Sequence, residues 1–205
     1  MATHFHQGRS GGLFFCTATC WDWLPLIEQT QLFDHLYGWM ALAHEKSCRM
    51  VGYVLMPNHL HLMLFVPDGL SVNTILSNMK RFSAYEIITR LNGLDRSDLL
   101  VQLKDGVTHA ANPGQKHRVW RTSSDIKPCY SPWFIQQKMN YIHGNPVRGK
   151  WRLADDASLY LHSSAAFYME GKVNMNVRLV HVDEVSFGAS RSASRDLDGT
   201  YDSCS

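Results

Sequence analysis

The sequence predicts an α+β fold, a ferredoxin-like sandwich in which two helices cover one face of an antiparallel sheet. Three observations lead to this prediction. The chain has 205 residues, 45% of them hydrophobic and 11% aromatic, which suffices for one domain with a core. Its periodic segments follow the order strand, helix, strand, strand, helix, strand, as in a split βαβ unit. No run of 18 apolar residues occurs, so no membrane span is expected.

The first half of the chain has the clearest periodicity. Apolar residues recur at helical spacing after Pro25, and Pro57 with Asn58 separates two apolar runs. Pro67 begins a turn signal before a long amphipathic segment. We therefore expect strands over 13–20, 48–56 and 59–66, a helix within 25–46, and a second helix over 71–91.

The second half is less regular. Residues 92–114 are expected to form a loop with some helix, and short strands are expected over 117–121 and 126–130. Ser131 and Pro132 have the order of an N-cap and a first-turn proline, and the helix that they begin ends near residue 144, before Pro146. This helix needs a place on the other face of the sheet or at its rim. The domain is expected to cover 1–170, followed by an acidic, Ser-rich and disordered tail over 171–205.

Positive charge is concentrated in one block of the chain, although the net charge is only +2. Residues 116–152 carry eight Lys or Arg and one Asp, a net +7, whereas residues 1–115 carry −1 and residues 153–205 carry −4. Such asymmetry is typical of a surface for an anionic partner, and a solvated basic face is the alternative.

The five cysteines have irregular spacing and no C-x-x-C pair, which argues against a disulfide framework or a zinc ribbon. Free thiols in a reducing compartment fit better, so a cytoplasmic location is expected. No Gly-rich phosphate loop occurs, which argues against chemistry on nucleoside triphosphates.

His59 and His61 are the first candidate site residues. Residues two apart in a strand point to the same face, so these histidines share one face and the aliphatic residues that alternate with them share the other. The aliphatic face is the expected core face against the helices. Two imidazoles on one pleat can converge on a metal ion. A chance match is the alternative, because a second His-x-His pair, His4 and His6, has no assigned role.

Tyr141 and Asn145 form the second candidate pair. They are four residues apart and share one face of the last helical turn, whereas His143 points elsewhere. A phenol with an ordinary pKa of about 10 becomes a nucleophile only beside a metal ion, a base or a positive field, and the basic block supplies such a field. The alternative makes Tyr141 a core residue and Asn145 a left-handed helix C-cap.

Together these motifs resemble those of a known family. Segment 53–62, which reads YVLMPNHLHL, resembles the HUH strand of the single-tyrosine transposases. Segment 141–148, which reads YIHGNPVR, resembles the tyrosine-helix signature of their REP-associated branch. Segments 76–84 and 160–168 add to the resemblance, which covers residues 12 to 168 and is specific because the motifs occur in the family's order.

The resemblance implies a sheet with the HUH motif on a central strand and a C-terminal helix that bears the tyrosine. It implies that His59 and His61 bind Mg²⁺ or Mn²⁺, with Asn145 as the third ligand. It also implies that Tyr141 attacks a DNA phosphate, giving a 5′-phosphotyrosine link and a free 3′-OH. The expected partner is single-stranded or hairpin DNA. The protein is expected to be a monomer or a homodimer, and to lie in the nucleoid of a bacterial cell when it is bound to DNA.

Cationic residues are candidates for phosphate contacts on charge alone. They are Lys80 and Arg81 in the second long helix, and Arg118, Arg121, Arg148 and Lys150 in the basic block. A solvated helix face is the alternative for the first two.

The sequence therefore predicts a metal-dependent endonuclease and strand transferase that acts on single-stranded DNA. A non-catalytic protein of the same fold that binds DNA hairpins is the alternative. A protein that only binds DNA has no physical need for His59, His61 and Tyr141 together. A small metal-binding domain with unrelated chemistry is a third hypothesis, and it leaves the basic block unexplained.

Overall fold

The computed structural model of the chain describes residues 11–107 and 114–185. The strands in this part of the chain are β1 (Gly12–Thr19), β2 (Arg49–Leu55), β3 (His59–Val66) and β4 (Asp125–Pro128). The helices are α1 (Leu26–Gln29), α2 (Phe33–Glu45), α3 (Val72–Gly93), α4 (Ser97–Asp105), α5 (Pro132–Gly144) and α6 (Ala165–Glu170). Three-ten turns cover Trp21–Trp23, Ala157–Leu159 and Val182–Glu184.

The four strands form one antiparallel sheet in the order β2-β3-β1-β4. With α2 and α3 as connections, this is the ferredoxin-like arrangement, so the predicted fold class is confirmed. β3 pairs with β1 along its whole length, from His59 opposite Thr19 to Val66 opposite Gly12. The strand that carries the two candidate histidines is therefore a central strand of the sheet.

The two faces of the sheet bury different sets of side chains. The face that packs against α2 and α3 contributes the alternating aliphatic residues of β3, as expected: Leu60, Leu62, Leu64 and Val66. The opposite face packs against the buried side of α5, which consists of Ile135, Met139 and Ile142. Burial of apolar surface on both faces thus holds the sheet between two helical layers.

The last long helix takes the second face of the sheet, one of the two places expected for it. It begins at Ser131, whose hydroxyl accepts a hydrogen bond from the Phe134 N–H at 3.2 Å, with Pro132 in the first turn. It approaches β2 at Gly52, where a Cβ atom would lie 2.7 Å from the sulfur of Met139. This close approach brings the last turn of α5 beside β3.

The segment 117–121 differs from the sequence expectation, because only Trp120 forms an isolated bridge, with Cys20. Two backbone bonds still join the segment to the end of β1 and the turn after it, from the Arg121 N–H to the Thr19 carbonyl at 2.9 Å and from the Trp21 N–H to the Val119 carbonyl at 2.7 Å. Side chains hold it to α3: Trp120 Nε1 donates to the Ser83 hydroxyl at 3.1 Å, and Lys80 donates to the Arg121 carbonyl at 2.6 Å. Its apolar residues are therefore buried without a continuous ladder.

Residues 171–185, the first part of the expected tail, lie against β2. The Val180 N–H donates to the Met50 carbonyl at 3.0 Å, and Val185 is buried. Isolated valines in an irregular backbone leave no period for the sequence pattern to reveal. The rest of the expected tail, 186–205, lies outside the described residues.

Two further findings concern the cysteines and the hydropathy of the helices. The cysteines in the described part of the chain are buried free thiols: Cys16, Cys20, Cys48 and Cys129. None of the helices in the described ranges is both long and apolar enough to cross a membrane.

Candidate active site

His59 and His61 lie at the start of β3, on the face that α5 covers. Their ring centroids are 4.9 Å apart and the rings meet at 73°. Both are nearly enclosed, with 8% and 4% of their surfaces exposed. The two-residue period of the strand puts them on one face, as expected. The other His-x-His pair, His4 and His6, lies outside the described residues.

Two neighbours orient the imidazole rings. Asn58 donates from Nδ2 to the Trp23 carbonyl at 2.9 Å, which turns its Oδ1 toward Nδ1 of His59 at 2.7 Å. Nδ1 of His59 therefore carries the proton, and Nε2 keeps its lone pair. Nδ1 of His61 is hydrogen-bonded to the Thr17 hydroxyl at 2.9 Å, and its Nε2 is buried without a partner among the described residues. Both rings thus leave Nε2 for a ligand.

Asn145 reaches His59 from the end of α5, with its Oδ1 3.3 Å from Nε2 of the imidazole. In this orientation of the amide, the Asn145 oxygen faces the lone pair of His59 Nε2, so two acceptor atoms face each other. That arrangement is favourable when both atoms bind the same cation. Asn145 has φ −61° and ψ −47°, a right-handed conformation, although the following Pro146 disfavours it. Asn145 is therefore the C-cap of α5, as in the alternative interpretation, but in a right-handed and not a left-handed conformation.

Burial keeps both histidines uncharged at neutral pH. Loss of hydration lowers the pKa of His59 to about 4, against the opposing effect of Asn145, whose amide oxygen would accept a hydrogen bond from the protonated ring. Loss of hydration also lowers the pKa of His61 to about 3, together with the charges of His59 and Lys138. A neutral imidazole is the form that binds a metal ion.

Tyr141 packs against His61 from the same side of α5. The two ring centroids are 4.9 Å apart at 69°, and Phe15 lies 6.1 Å from the phenol and stacks on His61. The tyrosine is 49% exposed, so it is not the core residue of the alternative interpretation. A phenol that is held by neighbouring rings and still open to solvent is suited to be a nucleophile.

Lys138 adds a positive charge to the same place. Its Nζ lies 5.7 Å from the centroid of the Tyr141 ring and 4.8 Å from that of Phe15. The lysine is three residues before the tyrosine on α5, so the two share a helix face. The site therefore contains a cation beside the candidate nucleophile.

The residues present fit a small divalent ion that takes further ligands from elsewhere. No three His, Cys, Asp or Glu side chains come together in the described ranges, so the donors would be two imidazoles and an amide, all uncharged. The 3.3 Å between His59 Nε2 and Asn145 Oδ1 is near the separation of adjacent ligands in an octahedral Mg²⁺ site, about 3.0 Å. The unpartnered Nε2 of His61 is the third donor.

A groove runs between α3 and the segment 114–126. None of the described residues that line it is Asp or Glu. Its cations are Lys80, Arg81, Lys116, Arg118 and Arg121. Four of the six predicted phosphate contacts therefore share one surface. Lys116, which was not among the predicted contacts, lies on the same surface.

The cations of the groove differ in what they already contact. Lys80 donates to the Arg121 carbonyl at 2.6 Å and so supports the segment that carries this arginine. Arg118 covers the ring of Trp21, with its guanidinium carbon 3.7 Å from the ring centroid. Arg81, Lys116 and Arg121 are exposed, which makes them the accessible cations of the set.

Arg148 and Lys150 lie outside the groove, in the loop after α5, and both are exposed. Arg148 packs on the backbone at Gly144, where a Cβ atom would lie 3.3 Å from its guanidinium carbon. Nζ of Lys150 lies 5.3 Å from the centroid of the Trp151 ring. These two cations therefore follow the turn that carries the tyrosine.

Several residues of the site were not predicted. Lys138 could have been found from its spacing to Tyr141, which places both on one helix face. Thr17 gives no signal in the sequence, because only the strand register puts it opposite His61. Trp23 also gives none: its edge lies against His59 at 6.2 Å between centroids because the turn after β1 folds back.

The fold has similar solved structures, although no model of a known protein family and no protein of curated function matches the chain. A structure of a REP-associated tyrosine transposase bound to a REP hairpin is similar with a TM-score of 0.50 at 16% identity. The similarity covers 80% of this chain and 84% of that one. A crystal structure of a candidate transposase from Deinococcus radiodurans has a TM-score of 0.41 at 13% identity, over 70% and 97% of the two chains. The first similarity shows a shared fold.

Proposed function

We propose that the chain is a metal-dependent endonuclease and strand transferase for single-stranded DNA, of the transposase type, with Tyr141 as its nucleophile. The observation that carries the proposal is the convergence of the His59, His61 and Asn145 side chains beside the half-exposed phenol. The fold shared with a tyrosine transposase supports it.

Mg²⁺ or Mn²⁺ is the ion that we assign to this site, held by Nε2 of His59, Nε2 of His61 and Oδ1 of Asn145. When bound, such an ion polarises a phosphoryl oxygen and offsets the negative charge that develops during transfer. Because none of the three donors is charged, a phosphate of the DNA is the anionic ligand that completes the set. Neutral imidazoles, kept so by burial, need no proton loss to take this role.

The proposed reaction exchanges one phosphoester bond for another. The phenolic oxygen of Tyr141 attacks the phosphorus, and the bond from phosphorus to the 3′ oxygen of the preceding nucleotide breaks. The phenol loses its proton and the leaving 3′ oxygen gains one, so the products are a 5′-phosphotyrosine and a free 3′-OH. The link conserves the bond energy, and a second 3′-OH can reverse the step without ATP.

Lys138 assists the nucleophile in this scheme. A cation 5.7 Å from the centroid of the Tyr141 ring attracts the phosphate that is attacked and offsets the negative charge that develops during transfer. The histidines cannot supply that charge, since both are neutral at the pH of the reaction.

DNA is the partner because positive charge without carboxylates lines the groove and continues in the loop after α5. Lys and Arg side chains on one surface bind the phosphate backbone and release its counterions. The transposase of similar fold is described as bound to a REP hairpin, which makes hairpin DNA with a single-stranded flank the substrate to test first.

The proposal is tested by incubating the protein with labelled hairpin oligonucleotides and Mn²⁺ and looking for a covalent adduct on a denaturing gel. We expect an adduct that is lost in Tyr141→Phe and kept in Tyr130→Phe, because Tyr130 is an exposed tyrosine outside the site. His61→Ala should abolish the adduct and leave hairpin affinity, measured without a divalent ion, nearly unchanged.

Two outcomes would contradict parts of the proposal. An adduct that persists in Tyr141→Phe would mean that another residue is the nucleophile. Salt-sensitive hairpin binding with no adduct across varied hairpins and both ions would favour the non-catalytic DNA-binding protein.

A further inference from the structure

Trp23 is a large apolar side chain left open at the edge of the candidate site. It is 51% exposed, although its ring and that of the buried His59 meet edge to face, with 6.2 Å between centroids. Its neighbour in the same turn, Trp21, is covered by the guanidinium of Arg118. An exposed indole beside enclosed imidazoles is unusual, because tryptophan gains more from burial than most residues.

The backbone that presents Trp23 is held in a conformation that side chains disfavour. Asp22 and Trp23 have φ of 50° and 56°, in the left-handed region. Trp21 N–H donates to the Val119 carbonyl at 2.7 Å, and Trp23 O accepts from Asn58 at 2.9 Å, so the turn is fixed on both sides. Such positions persist when their surroundings over-determine them, and they cluster at ligand contacts. The same Asn58 orients His59, which couples this turn to the site.

The guanidinium of Arg121 lies over the indole, with its carbon 5.5 Å from the ring centroid of Trp23. It is exposed and has no carboxylate partner among the described residues. Because Arg121 also lines the cationic groove, Trp23 stands between that groove and the two histidines. A strand that runs from the groove to the metal ligands would pass over this ring.

We propose that Trp23 is a stacking platform for one unpaired nucleobase of the DNA, next to the phosphate that Tyr141 attacks, with Arg121 at the adjoining phosphate. The inference rests on the proposed function of the site. An indole face binds any base by stacking, and a neighbouring arginine strengthens the contact. Stacking at this place fixes the register of the strand, so that one phosphate lies at the metal ligands.

The experiment uses a hairpin with a single-stranded flank in which 2-aminopurine replaces each flank base in turn. It is run in Mg²⁺ with the Tyr141→Phe protein, so that no cleavage occurs. We expect fluorescence quenching on binding at one or two positions. Adding Trp23→Ala should remove that quenching and weaken binding by about 5- to 150-fold, and Trp23→Phe should keep part of both. Trp133→Ala is the matched control, since Trp133 is exposed at the far end of α5, and it should change neither.

Unchanged quenching and affinity in Trp23→Ala would overturn the inference, as would an equal loss in Trp133→Ala. Circular dichroism and thermal unfolding show whether each variant is folded, and Trp23→Phe keeps the test valid if the alanine variant is not. The proposed function fails separately. Trp23-dependent quenching with no adduct from the native protein would keep the platform and reject the nuclease. Normal adduct formation by Trp23→Ala would keep the nuclease and reject the stacking platform.

Discussion

Replacement of Ser164 by Ala tests how the tyrosine-bearing turn is held to the sheet. Ser164 is fully buried, its hydroxyl accepts from the Tyr53 N–H at 3.0 Å, and it lies 2.9 Å from Nε2 of His143. His143 is between Tyr141 and Asn145 on α5. The Ser164 hydroxyl therefore connects the last turn of α5 to β2. The sequence alone did not predict this role.

The magnitude follows from the partners of that hydroxyl. It donates to the Tyr53 carbonyl at 3.2 Å, so it is the acceptor for the Tyr53 N–H and for Nε2–H of His143. The carbonyl keeps a second bond, from the Ser164 N–H at 3.0 Å. Removal of the hydroxyl leaves two buried donors unpaired, at about 1–3 kcal/mol each. We expect Ser164→Ala to lower the free energy of unfolding by about 2–6 kcal/mol.

Ser163→Ala is the matched control for this experiment. Ser163 is also buried, but its hydroxyl accepts a single bond, from the Ala165 N–H at 3.1 Å, so the expected loss is about half that of Ser164→Ala, or about 1–3 kcal/mol. Urea unfolding gives both values, and adduct formation below the unfolding transition should slow more in Ser164→Ala. Losses that agree within about 0.5 kcal/mol would refute the reasoning, because the hydroxyl would then not be the connection that holds the turn.

Three further predictions concern charge. The metal-free protein should lose stability as the pH falls from about 6.5 toward 4, by up to about 1.4 kcal/mol per pH unit for each of His59, His61 and His143. The reason is that burial lowers the pKa of the folded histidines to about 4, 3 and 4, so the unfolded chain binds the protons first. Urea unfolding in chelator at pH 7.5 and 5.5 measures this, and a flat response would contradict it. Lys138→Met should slow adduct formation by a factor of about 10 to 100, with recovery in Lys138→Arg, and equal rates in all three proteins would exclude a role for the charge. Mn²⁺ should bind the Tyr141→Phe protein about tenfold or more tightly when hairpin DNA is present, by calorimetry, and an affinity independent of DNA would contradict a ligand set that phosphate completes.

The order of the elements could be predicted because it depends on local pattern. β3 has the expected bounds, 59–66, since Pro57 and Pro67 stop the strand pattern on both sides. The segment 117–121 could not be predicted in the same way. Its apolar residues resemble a strand, but its contacts are made with residues far upstream, through two backbone bonds near the end of β1 and through the side chains of Ser83 and Lys80 on α3.

The site was predictable in halves. The period of a strand places His59 with His61, and the period of a helix places Tyr141 with Asn145. That the two halves meet depends on tertiary packing, since α5 comes close enough to β2 only where Gly52 leaves room for Met139. No residue spacing contains that information.

The charged side chains of the site lie around the proposed ion ligands and not among them. The three proposed ligands are uncharged, whereas Lys138 lies beside the phenol and Arg121 beside Trp23. A carboxylate among the ligands would bind a divalent ion more tightly without DNA, but it would also repel the phosphate that must enter the same coordination sphere. In the proposed mechanism, neutral ligands with cations around them would therefore favour binding of the ion and the strand together over binding of either one alone.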